Sequence, residues 1–159
     1  MPLSKIVQNS VDTPVAGTGP AFSAYQSSAQ TLASATFTKI QFQTEEFDTA
    51  NAFNNTGSTV GNAPSYSFNP QIAGYYQLNG CITRGVSNTD MTFTFYKNGA
   101  AYKSTSTAYG TIGAISGSCL VYLNGTTDFV EVYGYFTTGQ ALAASISATY
   151  FQASMVRAA

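Results

Sequence analysis

The chain has 159 residues, a net charge of −1, 14% aromatic residues and only 8% charged ones, where an ordinary soluble domain carries roughly 25%. One domain of this length, with or without a short arm, buries roughly 70% of its unfolded surface and stands without a metal or a disulfide. The six basic residues lie scattered from Lys5 to Arg157, which excludes a phosphate-neutralising surface for nucleic acid, and no apolar run approaches the roughly 20 residues of a membrane span.

Residues 1–20 show no sustained alternation and end in Pro14-Val15-Ala16-Gly17-Thr18-Gly19-Pro20. That cluster breaks regular structure, so 1–20 reads as an N-terminal arm ahead of a domain at 21–159. The opening residues lack a signal peptide's apolar core, and synthesis in a cytoplasm is the expectation.

From residue 21 the pattern is β. Phe37 is followed, after a change of phase, by Ile40 and Phe42. Every second residue is apolar in Met91-Thr92-Phe93-Thr94-Phe95, and Phe129-Val130-Glu131-Val132-Tyr133 is β-branched and aromatic. Asn98-Gly99 and Asn124-Gly125 read as two-residue hairpin turns, because Asn and Gly tolerate positive φ. Residues 54–64 and 109–117 read as polar loops. The stretch 141–147 is Ala-rich like a helix, but its continuation Ile146-Ser147-Ala148-Thr149-Tyr150-Phe151 is rich in strand formers, so a strand is expected. Short strands broken by turns indicate an all-β sandwich or barrel.

Chemistry is hard to place on this sequence. It contains no histidine, which removes the commonest general base and the His-based triads and metal sites. Glu45 and Glu46, adjacent on a strand, point to opposite faces; Glu46 and Asp48 would share one, as a carboxylate pair or weak calcium site, or simply line a solvated turn. Asp128 sits where a turn aspartate bonds its own backbone. The glycine-rich 110–117 lacks the Lys-Ser/Thr of a phosphate loop. Two Asn-x-Thr triplets, at Asn54 and Asn124, match the glycosylation signal by coincidence if the chain is not secreted. Cys81 and Cys119 form no metal spacing and read as small buried apolar residues. Neither enzyme activity nor a cofactor is expected.

Several segments carry a family resemblance in order. They are Ala21-Phe22-Ser23-Ala24-Tyr25, Ile40-Gln41-Phe42, Tyr66-Ser67-Phe68 and Ile72-Ala73-Gly74-Tyr75-Tyr76-Gln77-Leu78. Further on stand Tyr96-Lys97-Asn98-Gly99, Leu123-Asn124-Gly125-Thr126-Thr127-Asp128-Phe129-Val130 and Tyr150-Phe151-Gln152-Ala153-Ser154-Met155. From about residue 21 to 156 the chain resembles the C1q/TNF-like domains. Leu78 stands where the family has an aromatic, Ala153 replaces a glycine, and two extra residues separate Gly125 from Asp128. The resemblance implies an all-β, antiparallel jelly-roll sandwich that assembles as a homotrimer.

In the register so implied, Tyr76, Leu78, Ile82, Val130, Val132, Phe151 and Met155 face the interior. Tyr75, Phe129, Tyr133, Tyr135 and Tyr150 fall on the opposite faces. Burial between subunits accounts for so many outward rings, so these five are the candidate trimer contacts, unless they are scattered surface aromatics. Cys81 would then face outward and Cys119 inward, and both thiols stay free.

The chain has no collagen-like stalk, and its opening Leu3-Ser4-Lys5-Ile6 resembles the start of many bacteriophage virion and fibre proteins. The expected function is a homotrimeric capsid decoration, or cement, protein of a phage virion, made in the host cytoplasm. Leu3, Lys5, Ile6 and Val7 of the arm would attach it to the major capsid protein. The alternative is a receptor-binding head-fibre or tail-fibre tip that recognises a host surface molecule. Neither nucleic acid nor a membrane is an expected partner.

Overall fold

A computed structural model describes residues 18–85, 90–105 and 113–159. Its strands are β1 (Ala21–Tyr25), β2 (Thr31–Leu32), β3 (Thr38–Lys39), β4 (Thr44–Asp48), β5 (Phe53–Asn54), β6 (Ser67–Phe68) and β7 (Ala73–Thr83). There follow β8 (Met91–Lys97), β9 (Ala100–Thr105), β10 (Ala114–Asn124), β11 (Val130–Phe136), β12 (Gln140–Ala141) and β13 (Tyr150–Ala158). No helix occurs among the described residues.

One five-stranded sheet runs β10-β7-β13-β1-β4, and a six-stranded sheet runs β5-β6-β11-β8-β9 with β3 beside β11. Every pairing between these strands is antiparallel. The first and last strands are neighbours, so the domain closes on its own ends: Phe22 stands opposite Ala153 and Ala24 opposite Phe151. Such distant pairings mark a sandwich wound as a whole rather than a row of local hairpins.

Period-two alternation decides what the sheets enclose. On β7, Tyr76, Leu78 and Ile82 point inward and are fully buried, as do Val130 and Val132 on β11, and Phe151 and Met155 on β13. These are the inward residues expected from the sequence. Rings supply much of the contact between the sheets. Phe22 stacks on Phe53 at 4.5 Å and on Phe68 at 4.8 Å, and meets Phe151 edge-on at 5.0 Å. Gly80 and Gly117 stand opposite each other on β7 and β10. A Cβ on either would come within 2.7 Å of the Phe93 ring, so the paired glycines form the slot that receives it.

Turn chemistry follows the sequence at one site and departs from it at three. Asn98 and Gly99 adopt positive φ of 54° and 77° and close the β8–β9 hairpin. Asn124-Gly125 makes no hairpin, because β10 and β11 belong to different sheets. There the Asn124 carboxamide oxygen accepts bonds from the amides of Thr126, Thr127 and Asp128, and Gly125 packs so tightly on Ala73 that no side chain fits. In 141–147 the strand ends at Ala141, followed by one antiparallel bridge between Leu142 and Arg84. Beyond it the amides of Ala148 and Thr149 fold back on the Ser145 carbonyl, both at 3.1 Å. In the loop expected at 109–117, residues from Ala114 onward belong to β10, with Ser116 outward and opposite Cys81 of β7; 109–112 lie outside the described residues.

Both cysteines are free. Cys81 lies on the outer side of β7, and Cys119 packs inward against the core. Burial raises the Cys81 thiol above its ordinary range against a weaker pull from Thr83, and pushes Cys119 up to about 11 against the nearby Lys103. Thiolate is scarce at neutral pH, so labelling of the native protein should be slow. In denaturant without reductant it should reach two thiols per chain; none would mean a disulfide and a different strand register. Phe22→Ala removes the ring that three others pack on and should cost about 3–5 kcal/mol. The measurement is a lower urea midpoint at unchanged slope.

Candidate functional site

The outer face of the five-stranded sheet combines extensive area with almost no charge. Its rows read straight from the register. Tyr122 lies beside Tyr75, and Leu120 beside Gln77, Ser154 and Ala21. Ser118 lies beside Asn79, Gln152 and Ser23; Ser116 lies beside Cys81, Tyr150 and Tyr25. Charge enters at the margins, with Arg157 opposite Tyr75 and Glu46 bonded to the Ser23 hydroxyl at 2.6 Å. Hydroxyl and amide groups in the middle satisfy one another: Gln77 donates to Ser118 at 2.7 Å and Gln152 to Ser23 at 3.0 Å.

One end of this face is apolar. Tyr75 and Tyr122 lie 5.4 Å apart with 44% and 42% exposure, and Leu120 beside them is 56% exposed. Tyr102 of β9 reaches over the edge and donates to the Leu120 carbonyl at 3.4 Å. The alternation that turns Val121 and Leu123 inward necessarily turns Leu120 and Tyr122 out. Their neighbour across the ladder, Tyr75, was among the expected contacts, and that pairing is the signal that finds them.

The five candidate contact residues do not share one surface. Tyr75 and Tyr150 lie on the outer face just described, at opposite ends. Tyr133 and Tyr135 lie on the outer face of the six-stranded sheet, on β11. Phe129 precedes β11 and its amide donates to Asn98. Around Tyr133 the chain supplies its own partners: Tyr96 stacks on it at 3.9 Å, and Phe37 packs 5.1 Å from Tyr135. Below them Glu131, 2% exposed, is paired with Lys39. Burial, then Glu131 and Tyr96, raises the Tyr133 phenol above its ordinary range. The arm residues Leu3, Lys5, Ile6 and Val7 lie outside the described residues.

The acidic residues are arranged otherwise than strict alternation predicts. A bulge in β4 opposite Ser23 and Ala24 leaves Glu46 as the extra residue. Glu45 and Asp48 therefore share the inner side, and Glu46 turns to the outer one. Asp48 spends its carboxylate on the amides of Ala50 and Phe53, at 3.1 and 2.7 Å. Burial, and secondarily the charge of Asp48, raises the Glu45 carboxyl above its ordinary value. No cluster of three metal-ligating side chains occurs among the described residues.

Asp128 ties the turn after β10 to the β8–β9 hairpin. Its carboxylate accepts from Asn98 at 2.8 Å and from the Asn124 amide at 3.1 Å, and it pairs with Lys97 at 3.0 Å. Lys97 also donates to the Tyr122 carbonyl at 2.8 Å, which links this knot to the apolar end of the outer face.

No protein-family model matches the sequence, and no curated protein matches it. Solved structures do. Murine APRIL is similar at a TM-score of 0.56 and 12% identity, over 85% of this chain and 97% of that one. Eiger TNF from S. frugiperda is similar at 0.61 and 11%, over 89% of this chain and 95% of that one. At such identities the likeness shows the fold, an antiparallel TNF-like jelly roll.

Burial opposes ionisation of Asp128, but the bonds from Asn98, Lys97 and Asn124 and the charge of Lys97 outweigh it, and the pKa falls below 3.8. A depressed folded pKa means stabilisation that is complete above the unfolded value and lost as pH falls through the folded one. Asp128→Asn should cost roughly 1–3 kcal/mol at pH 7. The gap from the parent should narrow in denaturant titrations below pH 3.8.

Proposed function

We propose that the chain is a homotrimeric structural protein of a phage virion, a capsid decoration protein held to the major capsid protein by residues 1–20. The observation that carries self-association is the outer face of the five-stranded sheet, uncharged from Ser116 across to Ser23 and apolar at Leu120, Tyr122 and Tyr75. Obligate interfaces are depleted in charge and rich in aromatics, and they bury roughly 2,000 Å² or more. The jelly roll supports the same reading, since the C1q/TNF-like resemblance implies trimers. A closed three-fold ring joins two different patches of each protomer, and the apolar β9–β10 edge against the flat polar middle of a neighbour's sheet supplies such a pair. In this arrangement Tyr75 and Tyr150 are contacts, whereas Tyr133 and Tyr135 already have intrachain partners.

The virion assignment is supported by the phage-like opening of the arm, with Leu3, Lys5, Ile6 and Val7 as the attachment residues. Three arms on one trimer multiply a weak contact by avidity.

Sedimentation should give a trimer at micromolar concentration, and Tyr122→Asp should shift it to monomer while Tyr135→Asp leaves it intact. A stable monomer of the parent chain would end the trimer reading. Deletion of residues 2–18 should leave the trimer and abolish capsid binding, with the parent present at many tens to hundreds of copies per particle. A few copies per particle, with purified protein that blocks infection at the host surface, would establish the fibre-tip alternative.

A further inference from the structure

A cleft of about 650 Å³ draws its walls from the edge strands of both sheets, β4 and β5, and from the loops 55–63 and 69–71. That size lies within the roughly 300–1,000 Å³ of small-molecule sites. Its walls are fixed from behind. Asn54, 6% exposed, donates to the carbonyls of Ser58, Ala63 and Pro64 at 2.8, 3.0 and 3.0 Å and accepts from the Thr56 amide and hydroxyl at 3.0 and 2.7 Å. Asn69, 4% exposed, donates to the Asp128 carbonyl at 2.7 Å and accepts from Gln71 at 2.7 Å. Loops already ordered in this way lose little entropy when a ligand arrives.

In front of that frame the amides are idle. Among the described residues, Asn51, Asn55 and Asn62 line the cleft, and their carboxamides have no hydrogen-bond partner within the chain. A carboxamide offers two donors and an acceptor from one planar group, which complements a hydroxyl that must both give and receive. The lining contains no Lys or Arg and one carboxylate, Glu45, so it repels anions and is too poor in oxygen charge for a calcium ion. Val60, 57% exposed, and Ala63 add apolar surface for C–H groups. β5 is two buried residues long, too short an edge to receive a peptide as an added strand.

We propose that this cleft binds a neutral saccharide, its hydroxyls held by the carboxamides of Asn51, Asn55 and Asn62 and by Glu45, its ring resting on Val60 and Ala63. The site is complete within one chain and depends on neither the trimer nor the capsid.

The test is saturation-transfer difference NMR on the full chain at millimolar ligand. The panel is neutral oligomers of glucose, galactose, mannose, N-acetylglucosamine and rhamnose, with glucose 6-phosphate, an anion that carries C–H protons, as control. At least one oligomer should receive saturation and glucose 6-phosphate none. The Asn55→Ala/Asn62→Ala double variant should bind it about tenfold more weakly at an unchanged melting temperature. Ile146→Ser, at an exposed position outside the lining, should bind as the parent does. No transfer to any member of the panel, or equal affinity in the double variant, overturns the proposal.

Discussion

Everything in this domain depends on rings meeting across the gap between two sheets. With 8% charged residues, the chain has few ion pairs to hold it, and its order comes from apolar surface removed from water at roughly 25 cal/mol per Å². The Phe93 ring fits only because Gly80 and Gly117 face each other beneath it, and that fit sets how closely β7 and β10 approach the other sheet. Phe22, on the first strand, joins Phe53, Phe68 and Phe151 from three others, so the ends of the chain are held by the same cluster as its middle.

Where rings stop, amides take over the work that charged side chains do elsewhere. Asn54, Asn69, Asn98 and Asn124 each fix a loop or turn through their carboxamides. A neutral amide can both donate and accept, so it satisfies several backbone groups with little of the desolvation penalty of an ion. The charges that are kept sit at junctions: Asp128 joins two turns, and the Lys39–Glu131 pair anchors β3 to β11 beneath a layer of tyrosines. The surface left over is an extended uncharged face on one sheet and an amide-lined cleft at the open side of the sandwich. The first suits a flat partner and the second a small polar one.

The sequence by itself determined the all-β class, the inward set from Tyr76 to Met155, the Asn98-Gly99 hairpin and the separation of the two cysteines. The class and the hairpin follow from period-two alternation and the φ preference of single residues, which are local properties. The inward set, the cysteine faces and the outward positions of Tyr75, Tyr133, Tyr135 and Tyr150 follow from alternation once the C1q/TNF-like resemblance supplies the register. Only the tertiary structure decided which sheet each face belongs to. β7 and β13 went to one sheet and β11 to the other, which parted tyrosines that look equivalent along the chain. The bulge that exchanged the roles of Glu45 and Glu46, the crossing at Asn124-Gly125 and the cleft built from residues 45 to 71 were likewise invisible, because each is set by what a strand pairs with across the sandwich. Strand partners are chosen by the burial of the whole core, and no window of neighbouring residues contains that choice.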